Sequence, residues 1–164
     1  MATIQQKIVP HLWFDKEARE ATEFYVSIFE CSRITNINII HDTPSGAVEI
    51  VSFELCGQEF MAFSAGPLFK FNEAISFIVK CDTQEEIDYY WDRLTSGGGQ
   101  EVECGWLKDK YGLSWQIVPR IMGDLLGDSD PVKAARVTQA LLKMRKLDIS
   151  VLQCAFEGGK ENCG

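Results

Sequence analysis

Up to Pro119, several short stretches alternate apolar and polar residues with a period of two, and stretches with a helical period break in twice. Alternation puts every second side chain on one face of a strand, whereas a repeat of three to four marks one stripe of a helix. Ile8 to Phe14 is predicted to be a strand, with Pro10 pointing to an edge or a bulge. Asp15 is expected to cap a helix that runs to about Glu30, with Ala18, Ala21, Tyr25, Ile28 and Phe29 as its apolar stripe. Arg33 to Ile40 alternates as a strand, His41 to Gly46 reads as a turn, and Ala47 to Leu55 is a further strand. Gly57 turns the chain again before a strand at Glu59 to Phe63.

Ser64-Ala65-Gly66-Pro67 reads as a linker, and the same order of elements then begins again. Ala74 to Val79 is a predicted strand. Thr83 and Glu86 form a capping box for a helix carrying Ile87, Tyr90, Trp91 and Leu94, which Gly97-Gly98-Gly99 stops. Short strands follow as far as Pro119. The last, Leu113 to Val118, comes after a turn at Asp109-Lys110-Tyr111-Gly112 and is interrupted by one amide, Gln116. Alternation places Ser114, Gln116 and Val118 on one face of it, with Trp115 and Ile117 on the other.

The two halves match in sequence. A shift of 65 residues lays His11 on Ser76 and Phe24-Tyr25 on Tyr89-Tyr90, and a shift of 55 from Gly57 to Gly112 lays Met61 on Gln116. Two βαβββ modules are therefore expected. Past Pro119 the pattern becomes helical: Asp130-Pro131 starts a helix with Ala134, Val137, Leu141 and Met144 on one face. Lys143, Arg145 and Lys146 are expected near its end, where cations suit the helix dipole. Ile149, Leu152 and Phe156 indicate a further helical turn or two.

Composition narrows the function classes. The chain has 164 residues and a formal net charge of −8, which argues against nucleic acid or an anionic membrane surface as partner. It shows no run long enough to cross a bilayer and no export signal over Met1–Pro10, so a cytoplasmic location is expected. The six cysteines, at 31, 56, 81, 104, 154 and 163, lack metal-knuckle spacing and are expected to be reduced thiols, with Cys163 the most exposed. The two histidines, His11 and His41, leave a nucleophile–histidine pair little to draw on.

Pro10-His11-Leu12-Trp13-Phe14, Gly66-Pro67-Leu68-Phe69-Lys70-Phe71, Glu73-Ala74-Ile75-Ser76-Phe77, Asp88-Tyr89-Tyr90-Trp91 and Cys104-Gly105-Trp106-Leu107-Lys108-Asp109 resemble the PhnB-like branch of the vicinal-oxygen-chelate superfamily. That superfamily includes glyoxalase I, bleomycin-resistance proteins and extradiol dioxygenases. The resemblance implies an α+β fold in which the paired βαβββ modules form a half-barrel cleft, followed by a C-terminal helical extension. It implies a single domain over about residues 1–156: module one at about 7–64, module two at about 73–120, the extension at about 121–156, and a flexible tail at 157–164. It also implies a homodimer, since a half-barrel has strand edges to cover. Branch members often carry a demethylubiquinone methyltransferase label, although the sequence has no glycine-rich strand-to-helix turn for a nucleotide-bearing cofactor.

In metal-binding members each module contributes two ligands from its first and last strands. The matching positions here are His11, Met61, Ser76 and Gln116, with Val9 replacing His11 if the first strand is gapped by one step. Only histidine among these is a good ligand for a divalent ion, and no carboxylate offsets the charge. The cleft is thus expected without a cofactor, a divalent metal being the alternative. If strand parity holds it is lined by His11, Trp13, Met61, Phe63, Ser76, Ile78 and Gln116, with Trp106 and Tyr111 on loops over its mouth. Lys70 and Lys108 are candidates for a positive rim. Three readings stand: a small-molecule-binding protein, a metal-dependent lyase, isomerase or dioxygenase, and a dimeric scaffold whose cleft is filled.

Overall fold

The computed structural model describes residues 6–159. It divides into two compact units, one ending at Phe71 and the other beginning at Asn72. Each unit carries a βαβββ module, so the fold is α+β.

The first unit consists of β1 (His11–Phe14), α1 (Ala18–Ile28), β2 (Arg33–Thr43), β3 (Gly46–Leu55) and β4 (Gln58–Ser64). Its sheet has the order β1-β4-β3-β2, with β1 parallel to β4 and the other pairs antiparallel. Helix α1 lies on one face. Ala18 and Ala21 let the helix approach closely, and Tyr25 and Ile28 are buried with them above Leu12, Phe14, Val51, Phe53, Phe60 and Ala62. Each large side chain buried in this layer contributes about 1.5–3 kcal/mol.

Two sequence expectations fail in this unit. Asp15 does not cap α1; the helix starts behind Glu17, and the Ala18 N–H donates to the Ser64 hydroxyl at 3.1 Å, from the far end of β4. Strand β2 also continues through His41 and Asp42 to Thr43, which shrinks the expected turn to Pro44 and Ser45. A register shift between Ile40 and Thr43, with Asp42 at φ +59°, absorbs the extra residues.

The second unit repeats the order with β5 (Ser76–Cys81), α2 (Gln84–Thr95), β6 (Gln100–Glu101), β7 (Trp106–Lys108) and β8 (Ser114–Pro119). Its sheet runs β5-β8-β7-β6, with β5 parallel to β8. The Thr83 hydroxyl accepts from the Glu86 N–H at 3.2 Å, while the Glu86 carboxylate reaches the Asp82 N–H, one residue before the cap. Ile87, Trp91 and Leu94 are buried against the sheet side that carries Leu107, Trp115 and Ile117. The Trp91 indole N–H is satisfied by Glu101 at 2.8 Å.

Three helices follow in the same unit: α3 (Met122–Leu126), which the sequence reading did not anticipate, α4 (Pro131–Leu141) and α5 (Ile149–Glu157). Asp130 and Asp148 cap α4 and α5, each accepting a backbone N–H of the first turn. Met122, Leu125, Val137, Leu147 and Leu152 make a small core here, so the apolar face of α4 is used within the unit. Helix α4 ends at Leu141, which leaves Lys143, Arg145 and Lys146 beyond its last turn. Arg145 pairs with Glu103 and Lys146 with Asp88 instead of serving the helix dipole.

The expected tail is shorter within the described residues, because Glu157 closes α5 and Gly158, at φ +78°, caps it. Residues from 160 onward, with the expectation for Cys163, lie outside the described residues. Cys31, Cys56, Cys81 and Cys104 are free thiols. Cys154 is disulfide-bonded, which corrects the expectation of thiols throughout. Among the described residues no helix is long and apolar enough to cross a membrane.

Candidate functional site

Opposite α1, the first sheet presents a second face. Strand β1 alternates between buried Leu12 and Phe14 and the more exposed His11 and Trp13. Parallel pairing sets His11 beside Met61 and Trp13 beside Phe63, so these four side chains share the face that α1 does not cover. The rings are in contact: His11–Phe63 centroids are 4.4 Å apart, and Trp13 meets Phe63 at 4.7 Å and Phe69 at 4.9 Å, both edge-on. The Trp13 indole N–H donates to the Gly66 carbonyl at 2.8 Å, which fixes the ring. Burial lowers the His11 pKa from its ordinary value, which disfavours the charged imidazolium in this aromatic wall.

Antiparallel pairing extends the same face to Ile50 and Ser52 on β3 and to Asn38 and Asn36 on β2. A groove of about 440 Å³ opens at one end, lined by Val9, Arg33, Asn36, Ser52, Glu59 and Met61 among others. Val9, two residues before His11, lines this groove. The pairing also explains why two registers compete. Met61 pairs with His11, whereas Gln116 pairs with Ile78 and Ser114 with Ser76. Matching Met61 to Gln116 therefore puts Val9, not His11, in the place of Ser76.

In the second unit the face opposite α2 is more polar. One row across the strands reads Trp106, Gln116, Ile78, and the next reads Lys108, Ser114, Ser76. The Gln116 amide nitrogen donates to the Ser76 hydroxyl at 2.8 Å. Ser114 is 1% exposed, and its hydroxyl has no hydrogen-bond partner among the described residues. A buried polar group without a partner costs about 1–3 kcal/mol, so such a group calls for an explanation. Lys108 forms an ion pair with Glu73, which neutralises the proposed positive rim at that point, while Lys70 is exposed.

One placement differs from expectation, and Tyr111 keeps its expected place on a loop. Trp106 is not on a loop: it begins β7 and stands next to Gln116 in the sheet. Tyr111 belongs to the turn after β7, where its N–H donates to Asp109 at 2.8 Å and Lys110 lies 5.0 Å over its ring. Sequence reasoning passed over Ser114, although strand parity alone assigned it to the Gln116 face. It also passed over Phe69 and the groove residues of β2 and β3, for which only strand pairing gives a signal.

A divalent ion fits these residues poorly. His11 and Met61 offer an imidazole and a thioether, and Ser76 and Gln116 are already bonded to each other. Among the described residues no group of three or more His, Cys, Asp or Glu is placed to hold a metal ion. A larger hollow of about 610 Å³ lies along α4 and α5 and contains none of the candidate residues.

The sequence profile of a family described as 3-demethylubiquinone-9 3-methyltransferase matches residues 6–118. A solved structure described as a putative 3-demethylubiquinone-9 3-methyltransferase, PhnB protein, from Bacillus cereus is 35% identical, with a TM-score of 0.62 over 70% of this chain and 99% of that one. A protein from Pseudomonas aeruginosa shares the fold at 20% identity, with a TM-score of 0.58 over 70% of this chain and 98% of its own. A variant of the fosfomycin resistance protein FosX from Listeria monocytogenes, complexed with Mn(II) and 1S,2S-dihydroxypropylphosphonic acid, shares it at 15% identity, with a TM-score of 0.53 over 71% and 93% of the two chains. No curated protein matches the chain.

Proposed function

The chain belongs to the 3-demethylubiquinone-9 3-methyltransferase (PhnB-like) family of the vicinal-oxygen-chelate superfamily, and from that premise we propose that it binds a small organic molecule on the open faces of its sheets. The observation that carries this reading is the Ser114 hydroxyl, buried without a partner beside the Gln116–Ser76 hydrogen bond. A ligand oxygen or N–H placed there would satisfy Ser114 and the remaining capacity of the Gln116 amide. In the first unit, taken by itself, the His11–Trp13–Phe63–Phe69 wall is an apolar surface with few polar groups, of the kind that small-molecule sites use.

Methyl transfer, the activity in the family's description, is not part of this reading. A nucleotide-bearing cofactor usually lies against a glycine-rich turn from strand to helix. Here those turns are Asp15-Lys16-Glu17 and Asp82-Thr83, which hold no glycine and carry acidic side chains. The same reading takes the protein as a homodimer. It is supported by β2, a sheet edge on which Ile39 and Ile40 are 56% and 48% exposed. A monomeric mass in light scattering at micromolar concentration would sink that part.

Thermal-shift measurements test the binding. The panel would hold small carboxylic and phosphonic acids, 1S,2S-dihydroxypropylphosphonic acid among them, each with and without Mn(II). We expect a metal-independent rise in Tm with at least one of them, lost in Ser114→Ala and in Gln116→Ala. A rise that needs Mn(II) and vanishes in His11→Ala would replace this reading with a metal-dependent reaction. A panel without any metal-independent rise would leave the filled-cleft scaffold as the better account.

A further inference from the structure

Cys31 and Cys56 are brought together at the open end of the first sheet, and nothing in the proposed binding reading uses them. The antiparallel register of β2 and β3 closes with Ile34 beside Phe53 and Arg33 beside Glu54. Continued past the ladder, the same register would bring Ser32 level with Leu55 and Cys31 across from Cys56. Two contacts hold the segments together past the last rung. The Cys56 N–H donates to the Ser32 hydroxyl at 3.2 Å, and the Cys56 thiol donates to the Glu30 carbonyl at 3.5 Å. Cys56 is therefore tied to the residues on both sides of Cys31.

The backbone at both positions is unusual. Cys31 has φ +52° and Cys56 has φ +48°, in the left-handed region where a side chain beyond glycine is strained. Such strain invites a search for what the residue does there. Both cysteines are exposed and both are free thiols. Directly opposed residues of an antiparallel pair have Cα atoms roughly 4.5–5.5 Å apart. A disulfide spans Cα separations of about 4.4–6.8 Å, so the two requirements overlap.

We propose that Cys31 and Cys56 are a reversible dithiol–disulfide site, oxidised by a low-molecular-weight disulfide. In the first step a thiolate of the pair attacks one sulfur of, for example, glutathione disulfide. A mixed disulfide forms and one glutathione thiolate leaves. In the second step the other cysteine loses its proton to solvent and attacks the protein sulfur of that mixed disulfide, expelling the second glutathione. Two protein thiols are oxidised to one disulfide, and one glutathione disulfide is reduced to two glutathione molecules. Burial, then the neighbouring Cys31 and Glu30, holds the Cys56 thiol above its usual range, which suits it to the second step.

The link would tie the end of α1 to the β3–β4 turn, one step past Ser32 and Leu55. Arg33 and Glu54, the last paired rung, both line the 440 Å³ groove, so oxidation would staple the groove's rim. Buried Cys81 is not offered to the same reagent, and Cys104 is anchored elsewhere, through its N–H to the Met144 carbonyl.

The test uses the full chain equilibrated in glutathione redox buffers, acid-quenched, alkylated and mapped without reduction. We expect a Cys31–Cys56 linked peptide pair lighter by two hydrogens, absent in Cys31→Ser and in Cys56→Ser, and reversed by reduced glutathione. Oxidation should also raise the urea midpoint of the native chain and leave that of Cys31→Ser unchanged. Glutathione adducts that persist on Cys31 or Cys56 without the link would overturn the proposal. So would chain-to-chain dimers through either residue, or linkage of either to Cys104.

Discussion

Replacement of Asp109 tests what positions the Ser114–Gln116 strand. Asp109 is 3% exposed, and its carboxylate accepts three hydrogen bonds: the Tyr111 N–H at 2.8 Å, the Leu113 N–H at 3.1 Å and the Trp115 indole N–H at 2.9 Å. Asp109→Ala removes both acceptor oxygens and with them these three bonds. The Tyr111 N–H is half-buried and can turn to water, but the Leu113 N–H and the indole are buried. At about 1–3 kcal/mol for each buried donor left alone, the loss is about 4 kcal/mol. That is a large part of the stability of an ordinary domain, about 5–15 kcal/mol.

Asp109→Asn sharpens the test. Its one remaining oxygen can keep both backbone N–H groups, while its NH2 faces the indole N–H, donor against donor. It should cost about 1–3 kcal/mol. In a Trp115→Phe background, where the indole N–H is gone, the same change should cost about 1–2 kcal/mol less, which is the coupling a double-mutant cycle isolates. Urea unfolding followed by tryptophan fluorescence and circular dichroism reads these differences, with the slope unchanged if only stability moves. An Asp109→Ala cost below about 1 kcal/mol, or additivity of the Asn and Phe changes within about 0.5 kcal/mol, would refute the role given to this carboxylate.

Three further outcomes follow from particular side chains. The Ser150 hydroxyl and the Val151 N–H hold the Asp148 carboxyl below the usual aspartate range, so its contribution is present above about pH 4 and is lost as pH falls through its lower folded value. Asp148→Ala should cost about 1 kcal/mol at pH 7 through loss of the α5 cap, and the gap to the native chain should narrow below that pH in urea titrations. Leu152→Ala should cost about 2–5 kcal/mol, because Leu152 is fully buried in the α3–α5 core and leaves a cavity; a midpoint shift below 1 kcal/mol would contradict that packing. The Cys81 thiol is pushed up to about 12, first by burial and then by Glu86 and Asp82, so at pH 8 iodoacetamide should leave it unmodified in the native chain and label it only after unfolding.

Much of the candidate site was legible in the chain because parity is a local property. Once Leu113 to Val118 reads as a strand, Gln116 and Ser114 must share a face opposite Trp115 and Ile117, and the burial pattern of β8 follows that division from Trp115 to Val118, with buried Ser114 the exception. The same rule assigned His11 and Trp13 to one face of β1. What parity cannot supply is the neighbour across the ladder. That Met61 stands beside His11, and that Ser114 rather than Gln116 stands beside Ser76, depends on pairings between residues about 40–50 positions apart. Two sequence offsets that disagree by ten residues could not both be right about them.

The sequence by itself determined the order of elements, the two modules, the Thr83 and Asp130 caps and the resemblance that implied the fold. The elements and caps rest on spacing within one or two turns of chain, where 3.6-residue and two-residue periods and capping chemistry act, and the modules on a repeat of such elements along the chain. Tertiary structure alone decided the rest. It gave the α1 start to Ser64 instead of Asp15, drew Trp106 from a loop into β7, and paired Lys108 with Glu73. It also left the Ser114 hydroxyl buried without a partner among the described residues and tied Cys56 to Glu30 and Ser32, the neighbours of Cys31. These are contacts between distant segments, and their energies depend on burial and geometry that no local window of the chain contains.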